Sequence, residues 1–329
     1  MIDHPLVSVI IPAYNAGTFI AETLESALGQ TYGHREIIVV DDGSTDDTEK
    51  RIKPYLGRIR YIRQENAGTA CARNAGLLAA RGDYIAFLDA DDLWLPEKLQ
   101  IQLQVAARHP ESRMIVCDGV VFGDVRVATE RLLKGPLAAR LDREPSGELI
   151  GNFYRDLIQR NAISCPAQTL VSRAVVDRVG LVMDGIQPCE DWEYHLRVSR
   201  DGPIALHRHA LVRYRRLQTS VSGPSQRRSF TYTLCGIPVL RRHSRLGAAE
   251  DRRLVRRSLR QLVREQAREA YNYAREHDAA FARAYLLKLF RAVPEEPMTL
   301  FWLLATLVPE PLVSSVMRRL RRSRSSGPR

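Results

Sequence analysis

Three carboxylates crowd the end of one apolar run. Residues 84–88 read Tyr-Ile-Ala-Phe-Leu, and Asp89, Asp91 and Asp92 follow within four positions. Like charges this close repel one another, so the arrangement costs stability unless a positive group is present. Two acidic residues separated by one residue on a turn can both present oxygens to Mg²⁺ or Mn²⁺, which complete their coordination with water and phosphate oxygens. The spacing therefore favours a divalent metal site, with a simple helix cap as the alternative.

Two other apolar runs also end in polar side chains. They cover residues 6–11 and 37–40, and the segments that follow are Pro12-Ala13-Tyr14-Asn15 and Asp41-Asp42-Gly43-Ser44. In a doubly wound sheet, ligands bind beyond the carboxyl ends of the parallel strands. The three segments together therefore predict a ligand site at one edge of a sheet. Taken alone, the second segment fits a turn followed by a helix cap equally well.

The elements that must position these segments alternate along the chain. Apolar runs predict buried strands at 6–11, 37–40 and 84–88, and a further strand is expected at 59–62. Helical patterns follow them at 16–30, 46–56, 69–80 and 96–108. This order predicts an α/β fold with a doubly wound sheet. Further along we expect a strand at 114–122, little regular structure at 123–150, a helix at 152–159, a strand at 169–171 and a helix at 191–199.

The positive charge of the chain is concentrated near its end. Residues 1–240 hold 29 Lys or Arg and 29 Asp or Glu, whereas residues 241–329 hold 20 and 9, which accounts for the whole net charge of +11. A balanced part followed by a basic part indicates two units with different partners. We place the boundary after residue 222, with a basic and mainly helical region at 223–329.

The motifs together resemble those of the family 2 glycosyltransferases of the GT-A fold. The matching segments are Val7 to Asn15, Glu36 to Asp46, Asn66-Ala67-Gly68, Ala72-Arg73-Asn74-Ala75-Gly76 and Asp89-Ala90-Asp91-Asp92. The resemblance is dense over residues 6–105 and thinner to about 222. It implies a GT-A type doubly wound α/β/α sandwich with a mainly α-helical C-terminal extension. It also implies inverting transfer of one sugar from a nucleotide-diphospho-sugar, with UDP-sugars as the first expectation, to a hydroxyl group.

The resemblance assigns the donor side of the site residue by residue. Pro12 and Tyr14 would pack near the nucleotide base, and Asp42 would accept the base N–H. Arg73 would lie near the base or the diphosphate, the alternative being a surface helix residue. Asp89 would face the ribose or a metal-bound water. Asp91 would ligate the Mn²⁺ or Mg²⁺ that bridges the diphosphate.

The acceptor side rests on Cys189-Glu190-Asp191-Trp192, which resembles the Glu-Asp motif of the family. Asp191 is expected to be the general base, because an inverting transfer needs the acceptor hydroxyl deprotonated as it attacks. Glu190 and Trp192 are candidate acceptor contacts. The alternative is that Glu190 and Asp191 are ordinary acidic residues in the first turn of a helix, where the helix dipole favours them.

One position departs from the family pattern. The family often has Tyr-Arg-x-His after its final strand, whereas this chain has Tyr214-Arg215-Arg216-Leu217. Leu217 puts a third protein ligand for the metal in doubt, and Arg215 or Arg216 could offset diphosphate charge instead. The chain also lacks the Gln-x-x-Arg-Trp signature and the transmembrane helices of processive synthases, so one transfer per binding event is expected.

The basic tail admits three interpretations. It could be a nucleic-acid arm, a helical bundle with a solvated arginine face, or a membrane-surface attachment that combines Met298 to Val308 with Arg318 to Arg324. We favour the third, with a segment at 298–322 on an anionic membrane and no nucleic acid as partner. With no signal peptide pattern at Met1–Pro5, we expect a cytoplasmic protein, at or near the cytoplasmic face of the membrane.

The expected acceptor is a saccharide or a lipid-linked molecule, as in the synthesis of cell-surface polysaccharide or glycolipid. Two rival functions fit a similar α/β sheet. One is a non-catalytic nucleotide or nucleic-acid binder. The other is a nucleotidyltransferase, which would use metal-binding carboxylates but release diphosphate.

Overall fold

The apolar runs of the sequence form strands of one mixed sheet. In the computed structural model, which describes residues 4–123, 130–216, 226–308 and 310–316, nine strands belong to this sheet. They are β1 Val7–Ala13, β2 Arg35–Asp41, β3 Arg60–Arg63, β4 Tyr84–Phe87, β5 Leu93–Trp94, β6 Met114–Gly123, β7 Glu148–Gly151, β8 Thr169–Ser172 and β9 Ile204–Arg216.

Helices connect these strands and make up the C-terminal part. The helices of the first part are α1 Ile20–Leu28, α2 Thr48–Ile52, α3 Thr69–Ala79, α4 Lys98–Arg108, α5 Gly135–Arg143, α6 Tyr154–Gln159, α7 Arg173–Val179 and α8 Glu190–Asp201. Those of the second part are α9 Gln226–His243, α10 Ala249–Glu276, α11 Ala279–Ala292 and α12 Pro297–Ala305.

The strand order explains why the polar segments converge. The sheet runs β3-β2-β1-β4-β8-β6-β9-β5, with β7 on β9. Strands β1 to β4 are parallel to one another, so their carboxyl ends meet at one edge, as predicted. Beyond β4 the sheet becomes mixed, because β8 pairs antiparallel with both β4 and β6. β1 is buried along its whole length.

One prediction from the sequence was wrong. We expected little regular structure at 123–150, yet the described residues there form α5 and β7. Gly135-Pro136 marks the start of α5 rather than a loop, since proline is well accommodated in the first turn of a helix. Leu137 and Leu141 then point one turn apart into the core. Gly135 and Pro136 therefore mark the boundary of a helix, not a break in regular structure.

The chain divides into two compact units, Met1–Pro224 and Ser225–Arg329. The predicted boundary after residue 222 lies outside the described residues. In the second unit, aromatic rings pack between the helices, with the Phe230 and Tyr285 ring centres 4.5 Å apart and those of Tyr271 and Trp302 4.9 Å apart. No helix in the described ranges is both long enough and apolar enough to cross a membrane.

Candidate active site

The loop after β1 is bound to the loop after β2. The backbone N–H of Asn15 donates to the Ser44 hydroxyl at 3.0 Å, and the Asn15 side-chain oxygen accepts from the Thr45 N–H at 2.8 Å. Asn15 has a φ of +49°, a left-handed conformation that asparagine tolerates better than most residues. Pro12 lies inside β1, and Tyr14 is left 52% exposed. Tyr14 is therefore open to a ligand at this edge.

Asp41 is a structural residue of the same edge. It is fully buried, and its two carboxylate oxygens accept from the Ser44 N–H at 2.8 Å and the Tyr61 hydroxyl at 2.7 Å. Burial, followed by the hydrogen bond to Asp41, holds the pKa of Tyr61 far above its usual value, so the phenol keeps its proton and remains a donor. Asp41 thus fixes the turn that follows β2.

Asp42 is buried beside it and is also engaged. Its carboxylate accepts from the Gln64 side chain at 2.7 Å and from the backbone N–H groups of Ala67 and Gly68 at 3.0 and 2.8 Å. A carboxylate offers about four acceptor positions. One position therefore stays open, which is compatible with the predicted base N–H. That contact remains a prediction.

Arg73 joins the two halves of the site. It projects from α3, is only 4% exposed, and donates to Asp89 at 2.7 Å and to Glu190 at 2.9 Å. Burial lowers the pKa of the guanidinium, but Asp89 and Glu190 outweigh it and raise that pKa above its usual value. The alternative of a surface helix residue was wrong. The contact of Arg73 with the base or diphosphate remains a prediction. Two of the three guanidinium nitrogens already donate to Asp89 and Glu190, which leaves fewer donors for a ligand.

α3 also fixes the loop that leads to the Glu-Asp motif. The Asn74 side chain donates to the Val182 carbonyl at 2.9 Å and accepts from the Val182 N–H at 2.8 Å. With its amide oxygen turned toward α3, Gln187 accepts from the N–H groups of Thr69 and Ala70 at 2.8 and 3.2 Å. The first two turns of α3 thus contact the loop that leads to the Glu-Asp motif.

The loop after β4 keeps the crowding that its sequence shows. Asp89 gives one oxygen to Arg73, and its side chain is 25% exposed. Burial, and then the charge of Asp89, raises the pKa of Asp91 to about 6. Burial and the charges of Asp91 and Asp89 raise the pKa of Asp92 well above its usual value. The repulsion is therefore only partly relieved by Arg73.

Asp92 does not cap a helix. One of its oxygens accepts from the Arg215 N–H at 2.8 Å, and the other has no partner among the described residues. The N-cap of α4 is Glu97, five residues further on. The capping interpretation of this segment was wrong, because a two-residue strand, β5, separates Asp92 from the helix.

The Glu-Asp motif opens α8, with Glu190 as its first residue. Glu190 is buried against Arg73, whereas Asp191 is half-buried. Burial, and then the charge of Glu190, raises the pKa of Asp191 to about 7. A carboxylate with such a pKa can accept a proton near neutral pH. The Trp192 indole is buried and donates to the Leu157 carbonyl at 2.9 Å. Acceptor contacts of Glu190 and Trp192 remain predictions.

Arg215 and Arg216 are engaged in contacts within the first unit. Arg215 donates to the Asp91 carbonyl at 2.8 Å and to Glu22 at 2.6 Å. Arg216 pairs with Glu130 at 3.0 Å. Arg215 thereby fixes the backbone of the loop after β4. Their predicted role in offsetting diphosphate charge remains a prediction, and Leu217 lies outside the described residues.

The residues fit a divalent cation only if groups from outside the protein complete its coordination. In the ranges that the structure covers, no three His, Cys, Asp or Glu side chains converge to hold a metal. Asp89 and Asp91 supply two carboxylates whose repulsion a cation would relieve, and the remaining positions suit phosphate oxygens and water. The donor set therefore fits a cation shared with a diphosphate ligand.

The sequence motifs do not indicate the residues that hold the loops of this candidate site in place. Asn15, Asn74 and Gln187 hold the three loops, yet their partners are distant in the chain, up to 118 positions for Gln187 and Thr69. A polar residue before or within a helix pattern is a weak signal by itself. Only the position of Asn74 beside Arg73 in a shared motif could have drawn attention to it.

The chain belongs to a known family. The sequence profile described as "Glycosyl transferase family 2" matches residues 8–178, just over half of the chain. This confirms the resemblance that the motifs indicated. The match includes the loops after β1, β2 and β4, together with Arg73.

Curated relatives agree with this assignment. The putative teichuronic acid biosynthesis glycosyltransferase TuaG of Bacillus subtilis is 38% identical over 164 residues, covering 44% of this chain and 65% of TuaG. The Escherichia coli UDP-Glc:alpha-D-GlcNAc-diphosphoundecaprenol beta-1,3-glucosyltransferase WfgD is 41% identical over 139 residues, covering 42% of this chain and 52% of WfgD. The chain spans less than two thirds of the length of these relatives.

A solved structure confirms the fold. S. aureus TarS 1-349 in complex with UDP-GlcNAc superposes with a TM-score of 0.64, covering 88% of this chain and 82% of that one at 18% identity. The α/β fold of GT-A type with a helical C-terminal region is therefore confirmed.

Proposed function

We propose that this protein transfers a single sugar from a UDP-sugar to a hydroxyl group of a lipid-linked saccharide, with inversion at the anomeric carbon. The observation that carries the proposal is the chain of ion pairs from Asp89 through Arg73 to Glu190, which lies beside Asp191. It connects carboxylates suited to a cation and diphosphate with a carboxylate suited to proton abstraction. A sugar-transfer reaction needs both groups at a fixed separation.

The donor would lie across the edge formed by the loops after β1, β2 and β4. Tyr14 offers an exposed ring for the base, and Asp42 has one acceptor position left. Two similar proteins support uridine as the base. WfgD is described as using UDP-Glc, and TarS 1-349 was solved in complex with UDP-GlcNAc. The names of WfgD and TuaG also support a role in cell-surface polysaccharide synthesis, with a lipid-linked acceptor.

Asp89 and Asp91 would hold Mn²⁺ or Mg²⁺ on the donor diphosphate. When bound, the cation supplies neutralisation of the charge that develops on the departing nucleotide diphosphate. Arg73 keeps Asp89 oriented, and Arg215 fixes the Asp91 backbone through its carbonyl. Both arginines thus act by holding the carboxylates in place.

Asp191 would take the proton from the acceptor hydroxyl. Its raised pKa of about 7 places it near the working pH, where a base is most effective. The attack by the deprotonating hydroxyl on the anomeric carbon displaces the nucleotide diphosphate from the opposite side. Glu190 raises that pKa by its charge and is itself restrained by Arg73.

The proposal is tested first with Asp191→Asn. We expect sugar transfer to fall by roughly 10³-fold or more, with UDP-sugar affinity within about twofold of the wild type, because only proton abstraction is lost. The matched control is Asp177→Asn, an exposed acid on α7, which should leave both unchanged. Retained turnover in Asp191→Asn would remove Asp191 from the mechanism.

The pH dependence gives a second test of the base. Below pH 7 a growing fraction of Asp191 carries a proton and cannot accept another. kcat/KM should therefore fall about tenfold for each pH unit below about 7. A profile that is flat between pH 5 and 8 would contradict the assignment.

The donor and the rival functions are separated by ligand binding and product analysis. Thermal shifts with UDP, GDP, CDP and TDP, each with and without Mn²⁺, should show stabilisation by UDP that is larger with the metal. A nucleotidyltransferase would release diphosphate rather than UDP. A non-catalytic binder would be stabilised by a nucleotide yet yield no product from any acceptor.

A further inference from the structure

The helix α12 has an apolar side that its neighbours leave uncovered. Leu300 and Leu304 on α12, and Leu307 in the turn that follows it, are 40, 53 and 63% exposed, and their spacing of four and three places them on one side. The opposite side supplies the buried residues Thr299, Trp302 and Ala305. Only one side of the apolar run predicted at 298–308 is therefore available for contact with another molecule.

Exposed apolar side chains also follow α12 in the chain. Residues 310–316 are helical, and Leu312 and Val316, one turn apart, are also exposed. We call Leu300, Leu304, Leu307, Leu312 and Val316 the leucine face. Soluble surfaces carry scattered apolar residues, but five large ones within 17 positions are unusual.

A row of arginines runs along α10. Its members are spaced by three, four or seven positions, and all are exposed: Arg253, Arg257, Arg260, Arg264, Arg268 and Arg275. On a helix this spacing places them on one side, which we call the arginine row. Val255, Leu259 and Val263 occupy the buried side of the same helix.

The C-terminal part of the arginine row lies along α12. Arg264 donates toward Glu296, the N-cap of α12, at 2.9 Å, and Arg275 is 3.9 Å from Glu310, which follows α12. Between them, the Tyr271 ring packs on Trp302. The row from Arg264 to Arg275 therefore runs beside α12, and Arg253, Arg257 and Arg260 continue it along α10 before α12 begins. Among the described residues, Arg253, Arg257, Arg260 and Arg268 form no ion pair and keep their charge available.

We propose that the leucine face and the arginine row together form a binding surface for an anionic lipid bilayer. Apolar side chains inserted at the level of the headgroups, with a flanking row of arginines on lipid phosphates, are the two components of interfacial membrane binding. The inference rests on the proposed function only in that a lipid-linked acceptor is found at such a surface.

The positive charge of this unit and its exposed leucines favour an anionic bilayer over a second copy of the chain or a nucleic acid as the occupant of this surface. Residues 225–329 hold 22 Lys or Arg and 9 Asp or Glu, so a second copy of this surface would be repelled by the first. A nucleic acid would be contacted by exposed aromatic rings beside the arginines, whereas this surface exposes leucines. An anionic bilayer alone matches both the charge and the apolar side chains.

The test is sedimentation of the full chain with vesicles. We expect binding to equal parts of phosphatidylglycerol and phosphatidylcholine, weak binding to phosphatidylcholine alone, and weakening at high salt. The triple variant L300Q/L304Q/L307Q should bind the anionic vesicles at least about tenfold more weakly, since it loses apolar insertion. R253Q/R257Q/R260Q/R268Q should lose the preference for anionic lipid. The matched control L56Q/L78Q changes exposed leucines of the first unit and should bind as the wild type does.

Three outcomes would overturn the inference. They are a full chain that stays in the supernatant with both vesicles, a triple variant that binds as the wild type does, and a wild type that forms dimers which the triple variant abolishes. Transfer to a soluble acceptor analogue should be unchanged in all these variants. Lipid binding without any transferase activity would instead refute the proposed function and leave the lipid surface intact.

Discussion

Two acidic loops at the same edge of the sheet are built in opposite ways. In the loop after β2, all four oxygens of Asp41 and Asp42 accept hydrogen bonds from protein groups. In the loop after β4, Asp92 has one oxygen without a partner among the described residues, and burial with like charge raises the pKa of Asp91 to about 6. The first loop is stabilised by the protein alone, whereas the second retains a deficit of positive charge.

The difference separates acids whose hydrogen bonds the protein supplies from acids that remain short of positive charge. Both loops read as crowded carboxylates after an apolar strand, and sequence spacing treats them alike. Hydrogen bonds to backbone N–H groups stabilise a carboxylate without any ligand. A carboxylate that is buried beside others and lacks such donors is destabilised until a cation arrives. The comparison therefore predicts that activity and stability respond oppositely in the two loops.

The largest effect is expected for Asp91→Asn. Turnover should fall by roughly 10³-fold, because a cation ligand is lost. The melting temperature should stay the same or rise, since a repelling charge is removed. Activity assays with Mn²⁺ and a thermal melt without nucleotide measure the two quantities. A variant that is active but several degrees less stable would show that the loop after β4 is structural.

Asp41→Asn should show the reverse pattern. The amide places an N–H₂ group where either Ser44 or Tyr61 donates, so the free energy of unfolding should fall by about 2–3 kcal/mol. Asp92→Asn is the matched variant in the other loop, and it should change stability by less than about 1 kcal/mol. Urea denaturation compares them. Equal losses in the two variants would remove the distinction.

Asn74→Ala tests a contact that affects activity only by positioning the loop before Asp191. Losing both bonds to Val182 frees the loop before Asp191, so kcat should fall about tenfold while donor affinity changes less than twofold. Leu78→Ala, an exposed change on the same helix, is the control. If donor affinity fell as much as kcat, the effect would arise in α3 and not in the loop before Asp191.

Lys98 tests whether an uncompensated buried charge always indicates a ligand site. It is fully buried, donates to Gln102 at 2.6 Å and lies 4.0 Å from the centre of the Trp94 ring. Burial lowers its pKa from 10.5 to about 8. Between these two pH values the unfolded chain binds more protons than the folded one, so stability rises with pH.

The measurement is the free energy of unfolding as a function of pH. Wild type should gain about 2–3 kcal/mol relative to Lys98→Met between pH 8 and 10.5. Below pH 8 the two curves should run parallel, because Lys98 is charged in both states. Curves that are parallel throughout would show that the lysine is hydrated. Lys98→Met should leave turnover at pH 7 unchanged, because we assign Lys98 no contact with a ligand.

The sequence indicated the strands and the chemistry more reliably than the connections between them. The strands β1 and β2 could be predicted because runs of β-branched residues are typical of buried strands. The role of Arg73 could not, since it depends on Glu190, 117 positions away. Asp42 illustrates the same limit. Its motif marks an important acid, but its three protein donors come from a loop whose path no local pattern encodes.

The contacts of α3 set a condition on exchanging the segment before Asp191 between relatives. Asn74 holds Val182, Arg73 holds Glu190, and Thr69 and Ala70 face Gln187, so one helix templates the whole segment from residue 182 to 190. A chimera that imports only this segment from a relative would break every one of these pairings. The transferable module is the segment together with α3, even though more than 100 residues separate them in the chain.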